Sequence, residues 1–233
     1  MELLNGQNIY KNFGTQTVLK GIDYSLEPGT FNVILGQSGS GKSTLLSILS
    51  GLMKPSQGSV SIEGKDVYGG GSTMIYLRRN TISNIFQNYL LLPDLTVTEN
   101  IKLGESEKGV DKNFFQELLQ LLGIEDLQKR FPNELSGGQQ QRVAIARAVV
   151  KKPKIIFCDE ATGALDEENS KAVVSLLHKI KELHNTSIVF TTHNNKIGKT
   201  ADRITILRDG EISENYQNSN PISPNKLDWG VEV

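Results

Sequence analysis

The segment Gly36-Gln37-Ser38-Gly39-Ser40-Gly41-Lys42-Ser43 constrains this chain more than any other. It has the form G-x-x-x-x-G-K-S, it follows the β-rich run Phe31 to Leu35, and an apolar pattern at helical spacing continues from Lys42 to Leu52. Strand, loop and helix in that order are the context in which such a loop wraps a polyphosphate. The glycines let the backbone curl so that successive N–H groups point inward, and the helix that follows adds the positive end of its dipole. Lys42 is then placed to neutralise β- and γ-phosphates, and the Ser43 hydroxyl to take one position on an octahedral Mg²⁺. A plain surface linker has no use for Lys-Ser directly after its last glycine.

Strand-like runs recur at Ser59 to Ile62, Thr81 to Phe86, Ile155 to Cys158, Ser187 to Thr191 and Arg203 to Leu207, with helical stretches between several of them. This alternation predicts the α/β class, with a mainly parallel sheet covered on both faces. Tyr89 to Val150 reads as mostly helical, with Phe114, Leu118, Leu119 and Leu122 on one apolar stripe. The expected fold is a P-loop NTPase core with a mainly parallel sheet, a small antiparallel β subdomain and an inserted helical subdomain, all in a single domain over 1–233. Its parts are approximately 1–30 and 58–70 for the antiparallel part, 31–57, 71–87 and 153–214 for the core, 88–152 for the helical subdomain and 215–233 for a C-terminal tail. Gly69, Gly70 and Gly71 read as a flexible loop, and the tail, with Trp229, matches no motif.

Two further segments carry chemistry. The apolar strand Ile155 to Cys158 ends in Asp159 and Glu160, which a parallel sheet delivers close to the phosphate loop. There Asp159 can hold Mg²⁺ and Glu160 can polarise an attacking water; the structural alternative is an acid pair opening a helix. Ser187 to His193 is a second apolar strand ending at the same edge, so that His193 can contact a γ-phosphate or hold Glu160 and water. His178 and His184, in a Lys-rich helical stretch, read as surface residues.

Ser136 to Gln139 precedes the helix expected over Gln140 to Val150, and S-x-x-Q is by itself a capping box. A cap alone does not need both Gly137 and Gly138, whose bare N–H groups could dock an anion. The chain has only one loop able to hold the rest of a nucleotide, so this second site would meet a phosphate held by another subunit.

Formal net charge is -1, and the cluster Lys151, Lys152 and Lys154 falls at a helix end, where it complements the dipole, so nucleic acid is not an expected partner. The lone Cys158 lies in an apolar strand and fits a reducing compartment. No stretch approaches the ~20 apolar residues of a membrane-spanning helix, and the first residues do not form a secretory signal. If this protein acts on a membrane, a partner is expected to supply the membrane part.

Together these residues resemble the nucleotide-binding subunits of ATP-binding-cassette transporters, from about Leu3 to Ile212. Gly36 to Thr44 looks like the Walker A loop, Gln87 the Q-loop glutamine, and Leu135 to Gln139 the LSGGQ signature. Ile155 to Glu160 looks like Walker B, Ala164 to Asp166 the D-loop and His193 the switch histidine. The resemblance implies ATP on Phe13, Gly36, Gln37, Ser38, Gly39, Ser40, Gly41, Lys42, Ser43, Thr44 and Gln87, with Gly137, Gln139 and Asp166 also in nucleotide binding and Ser136 and Gly138 closing the pocket of a second copy. It implies Mg²⁺ on Ser43, Gln87 and Asp159, catalysis by Glu160, His193 and Lys42, and a head-to-tail homodimer in the ATP-bound state.

It further implies a cytoplasmic subunit that is peripheral on the membrane through an integral permease touching the region Gln87 to Leu95. The runs Leu77 to Gln87, Leu91 to Pro93, Leu95 to Asn100 and Thr162 to Asp166 are similar to the bacterial subgroup serving lipoprotein release, macrolide and peptide efflux, and antimicrobial-peptide resistance. An ATP-driven mechanical coupler without a cargo is the alternative reading, and a small-molecule kinase a weaker one. Three positions depart from the family: Phe13 stands where a tyrosine is usual, with Tyr10 as a rival; Gln37 replaces proline or serine; and Ala161 replaces a proline after Glu160.

Overall fold

Two sheets organise the chain in the computed structural model, which describes residues 2–106 and 109–229. The hairpin β1 (Leu4–Phe13) and β2 (Gln16–Leu26) leads into β3 (Phe31–Leu35) and α1 (Lys42–Leu49). A second antiparallel pair, β4 (Gln57–Ile62) and β5 (Lys65–Asp66), precedes α2 (Gly71–Asn80) and β6 (Ile82–Phe86). Helices α3 (Val97–Lys102), α4 (Lys112–Leu122) and α5 (Gly137–Val149) come next. The chain then alternates β7 (Ile155–Asp159), α6 (Glu167–His184), β8 (Ser187–Thr192) and α7 (Asn195–Gly198), and closes on β9 (Arg203–Arg208) and β10 (Glu211–Gln217).

The small sheet has the order β2-β1-β4-β5 and is antiparallel throughout; the large one has the order β10-β9-β3-β8-β7-β6. All neighbours in the large sheet are parallel except β10 with β9. Every residue of β3 and β8 is buried, the pattern of strands covered on both faces. Because successive side chains point to opposite faces, Phe31, Val33 and Leu35 join the core beneath α4, α5 and α6, while Ile34, Phe157 and Val189 join a second core with α1 and the small sheet. Parallel register sets Leu35 beside Thr192 and Asp159 beside Thr191, so the residues that follow β3, β7 and β8 leave the sheet along one edge. Among the described residues, no helix is long and apolar enough to cross a membrane.

The apolar stripe of α4 is buried as its spacing predicts, and the helix is bounded by an Asp111 cap and by Gly123 at φ 61. Around α3 the fully buried Asn100 organises an otherwise irregular stretch: its amide donates to the carbonyls of Leu92, Leu95 and Thr96 and accepts from the Leu92 N–H. Four boundaries differ from the sequence reading. Gly71 opens α2 rather than closing a loop, α1 stops at Leu49, α5 begins at Gly137 rather than Gln140, and β10 runs to Gln217, past the expected start of the tail at Asn215.

The two histidines of α6 are partly buried against aromatic rings rather than fully exposed. His184 meets the Phe114 ring edge-on at 5.4 Å, and His178 stacks on Phe31 at 4.1 Å with the planes 13° apart. A helical Lys-rich pattern hides this, because the stacking partner of His178 comes from a distant strand. Thr200 donates its only hydroxyl hydrogen to the Ile197 carbonyl, so the contact of 3.1 Å requires His178 Nε2–H as donor to Thr200 Oγ1. Burial pushes the His178 pKa down to about 4, with Lys181 adding to the shift and Asp202 opposing it. The neutral ring is therefore the folded form, and the unfolded chain takes up the proton first. Its stabilisation is complete above the ordinary histidine pKa of ~6.5 and is lost as pH falls towards 4, amounting to roughly 3 kcal/mol across that window. Urea unfolding at pH 7 and pH 4.5 should show this loss, and His178→Phe, which keeps the stacked ring, should reduce it.

Candidate functional site

The phosphate loop is shaped by contacts that leave no alternative to glycine at its ends. A Cβ on Gly36 would lie 2.5 Å from both the Leu207 carbonyl oxygen and Ser40 Oγ, and Gly41 has φ 104 with a Leu19 methyl 2.9 Å from where a Cβ would be. Lys42, only 4% exposed, donates at 2.9 Å to the carbonyls of Gly36 and Gln37 and stands 3.5 Å from Glu160 Oε1. Ser40 Oγ is buried and has no hydrogen-bond partner among the described residues, a polar group in the loop that the protein itself does not satisfy. That orphan, the curled backbone and the ammonium fit a bound polyphosphate.

The edge formed by β7 and β8 supplies the other half. Ser43, in the first turn of α1, donates to Asp159 Oδ1 at 2.9 Å, and Thr191 Oγ1 lies 2.7 Å from the same oxygen. No group of three or more His, Cys, Asp or Glu side chains among the described residues could hold a metal by itself. A hydroxyl and a single carboxylate suit Mg²⁺, which keeps waters and takes phosphate oxygens for its remaining positions. Gln87, the third expected metal residue, is exposed, and its Nε2 lies 3.0 Å from where a Cβ on Gly163 would be.

Glu160 sits at φ 44, a left-handed conformation that is costly for a side chain of this kind. Its N–H reaches both the Thr191 carbonyl and Thr191 Oγ1 at 3.2 Å, and its carbonyl accepts from Gly163 at 2.8 Å. These bonds fix the backbone without the expected proline; Ala161 is instead packed in the core at 2% exposure. The turn aims the Glu160 carboxylate between Lys42 and the exposed His193, whose Nδ1 is 3.9 Å from Oε2.

Two cavities flank the loop. One of about 280 Å³ is walled by Val18, Ser38, Gly39, Ser43, Thr44 and Glu160, among others, and one of about 560 Å³ by Gly36, Gln37, Ser40 and His193 with residues of β9. Phe13 is 48% exposed at the tip of the hairpin that carries Val18, with Lys11 Nζ 5.1 Å from its ring centre. Its rival Tyr10 turns its hydroxyl to Gly21 and is the less exposed of the two rings.

Leu135 to Gln139 lines neither cavity. Ser136 and Gln139 form the capping box in full, with Ser136 N–H to Gln139 Oε1 at 2.9 Å and Gln139 N–H to Ser136 Oγ at 3.3 Å. Both glycines also have a reason within the chain: a Cβ on Gly138 would lie 2.5 Å from Asn169 Oδ1, and one on Gly137 3.2 Å from the Tyr89 hydroxyl. Asp166 caps α6, and hydrogen bonds from the Asn169 N–H and then from its side-chain amide hold the Asp166 carboxyl below the usual carboxylate range.

Sequence reasoning missed Thr191, Asn169 and Arg147. The Arg147 guanidinium donates at 2.6 Å to the carbonyls of both Tyr89 and Leu90, clamping α5 to two residues at φ 57 and φ 49. The loop it holds presents Leu90 and Leu92, 55% and 48% exposed. For Thr191 alone there was a signal, a hydroxyl two residues before His193 on a strand beside the acidic one.

A family model described as ABC transporter matches residues 19–163. A putative ABC transporter ATP-binding protein of Mycoplasma pneumoniae is 46% identical over 230 residues, 96% of this chain and 50% of that protein. The lipoprotein-releasing system ATP-binding protein LolD of Cytophaga hutchinsonii is 39% identical over 216 residues, 91% of this chain and 99% of that one. This chain therefore spans about half the length of the Mycoplasma relative and nearly all of LolD. The dimeric structure of MJ0796, a bacterial ABC transporter cassette, aligns with a TM-score of 0.84 at 33% identity, covering 93% of this chain and 99% of that one. Similarity of this extent, on a glycine-rich loop that faces one aspartate and one glutamate, shows that the chain belongs to the ABC transporter family.

Proposed function

We propose that this chain binds and hydrolyses ATP as a head-to-tail dimer and so powers a membrane transporter, working at the cytoplasmic face through a permease. The convergence of Lys42, Ser43, Asp159, Glu160 and His193 at one sheet edge carries this reading. Gly36 to Thr44 would hold the phosphates and Phe13 the adenine. Ser43 and Asp159 would hold Mg²⁺, which when bound draws charge from the phosphate oxygens. Glu160 accepts a proton from the attacking water or polarises it, with His193 steadying the pair and Lys42 balancing charge on the γ-phosphate.

Ser136 and Gly138 would close the pocket of the partner copy, a reading supported by the exposed Ser136 and by the absence of both residues from the walls of the two cavities beside their own phosphate loop. Loss of the bridging γ-phosphate then reopens the dimer. The loop held by Arg147, with Leu90 and Leu92 exposed, is the proposed permease contact. By likeness to LolD, the proposed cargo is a lipoprotein, with a peptide or antibiotic as the other classes that the resemblance of Leu77 to Gln87 and Thr162 to Asp166 implies.

Incubating the chain with ATP and Mg²⁺ alone tests the reaction class. Steady phosphate release that EDTA stops is the expected result. Release that requires an added acceptor would make the protein a phosphotransferase instead.

A further inference from the structure

The chain continues past β10 as a segment with a single helical turn at Pro224–Lys226, yet it is pinned along its length. Asn218 gives its side-chain amide to the Ala201 carbonyl at 2.9 Å and its N–H to the Asp202 carbonyl at 2.9 Å. The Ile222 N–H reaches the carbonyl of Lys199, the residue that ends α7, at 2.9 Å. Ser175 of α6 holds Asn225 at 3.3 Å. At its end Trp229 is 8% exposed, with its indole N–H donated to the Pro224 carbonyl at 2.8 Å. That bond fixes the ring and satisfies its one polar atom, so the indole can sit in apolar surroundings.

Its surroundings include the reactive edge. Trp229 is one wall of a cavity of about 320 Å³ whose other walls include Glu160, Thr162, Leu165, His193, Asn194 and Lys196. The Ile222 N–H thus bonds the residue at the end of α7, and Trp229 shares the walls of one cavity with Asn194 and Lys196 at the start of α7 and with the turn that holds Glu160 at φ 44. Neither the phosphate loop nor Phe13 borders this cavity.

We propose that Asn218 to Trp229 is a strap that holds the Glu160 turn and the His193 turn in register, with Trp229 as its positioning residue. The proposal rests on the assignment of Glu160 and His193 to hydrolysis. Since small displacements of reacting groups cost up to ~10²-fold in rate, a loosened strap should depress turnover while leaving nucleotide binding on the phosphate loop intact.

The test compares Trp229→Ala, Trp229→Phe and Glu160→Gln in steady-state ATP hydrolysis by the full chain. The expected result is a kcat roughly 10- to 100-fold lower in Trp229→Ala, with the KM for ATP within about twofold and most of the loss recovered in Trp229→Phe. A kcat in Trp229→Ala within about twofold of the parent overturns the strap, as does a loss that Trp229→Phe does not recover. Glu160→Gln separates the two ideas: full turnover there sinks the site assignment, whereas a dead Glu160→Gln beside an active Trp229→Ala sinks only the strap. Should Trp229→Ala not fold, the chain's single tryptophan gives a second reading. Its emission should change when ATP and Mg²⁺ are added to Glu160→Gln, and an unchanged spectrum overturns the proposal.

Discussion

Glu160→Gln is expected to lower ATP turnover by roughly 10²- to 10⁴-fold, the range associated with loss of a positioned base. The amide is close in size to the carboxylate, and the backbone that places it is held by main-chain bonds to Thr191 and Gly163, which the substitution leaves alone. What changes is the group lying 3.5 Å from Lys42 Nζ and 3.9 Å from His193 Nδ1. ATP affinity should stay within a few-fold of the parent, because the phosphate loop is untouched. Phosphate release measures the first effect and nucleotide titration the second. Because the γ-phosphate would then persist, the ATP-loaded variant should also run at twice the monomer mass.

Lys42→Ala should fail at an earlier step. The ammonium is 4% exposed and bonded to the carbonyls of Gly36 and Gln37, so it lies across the mouth of the loop at a fixed place. Its charge opposes two negative partners, the Glu160 carboxylate on the protein and the phosphates of the ligand. Removing one such preorganised group typically costs ~10²- to 10³-fold in rate, and here the loss should appear in ATP affinity as well as in turnover. Equilibrium binding of ATP distinguishes the two variants: Glu160→Gln binds and does not turn over, and Lys42→Ala binds weakly. The truncation also leaves two carbonyls and Glu160 without their cation, so a modest fall in thermal stability accompanies it.

The parts of this molecule that could be read from sequence are those whose logic is contiguous. A strand followed by glycines and Lys-Ser, an apolar run ending in Asp159 and Glu160, and another ending in His193 each declare their own geometry, and a parallel sheet brings the three ends together. The α4 stripe is legible for the same reason, since helical spacing alone selects its buried face.

What stayed hidden depends on partners far along the chain. His178 is drawn inward by Phe31, and Arg147 reaches Tyr89 and Leu90 on a loop that no propensity would place in left-handed backbone. Gly137 and Gly138 are instructive in another way. Their presence suggested an anion site because a cap does not require them, but a Cβ there would press on Tyr89 or Asn169, so packing within one chain already favours small residues. The proposed contact of Ser136 with a second copy therefore rests on its exposure and on its absence from the walls of the two cavities beside its own phosphate loop.

The structure of Glu160→Gln loaded with ATP and Mg²⁺ probes that contact directly. The account predicts two copies facing head to tail, with Ser136 Oγ and the Gly138 N–H of one at ~3 Å from the γ-phosphate held on Gly36 to Thr44 of the other. A triphosphate enclosed by a single chain, with Ser136 of every copy remote from any phosphate, would contradict it.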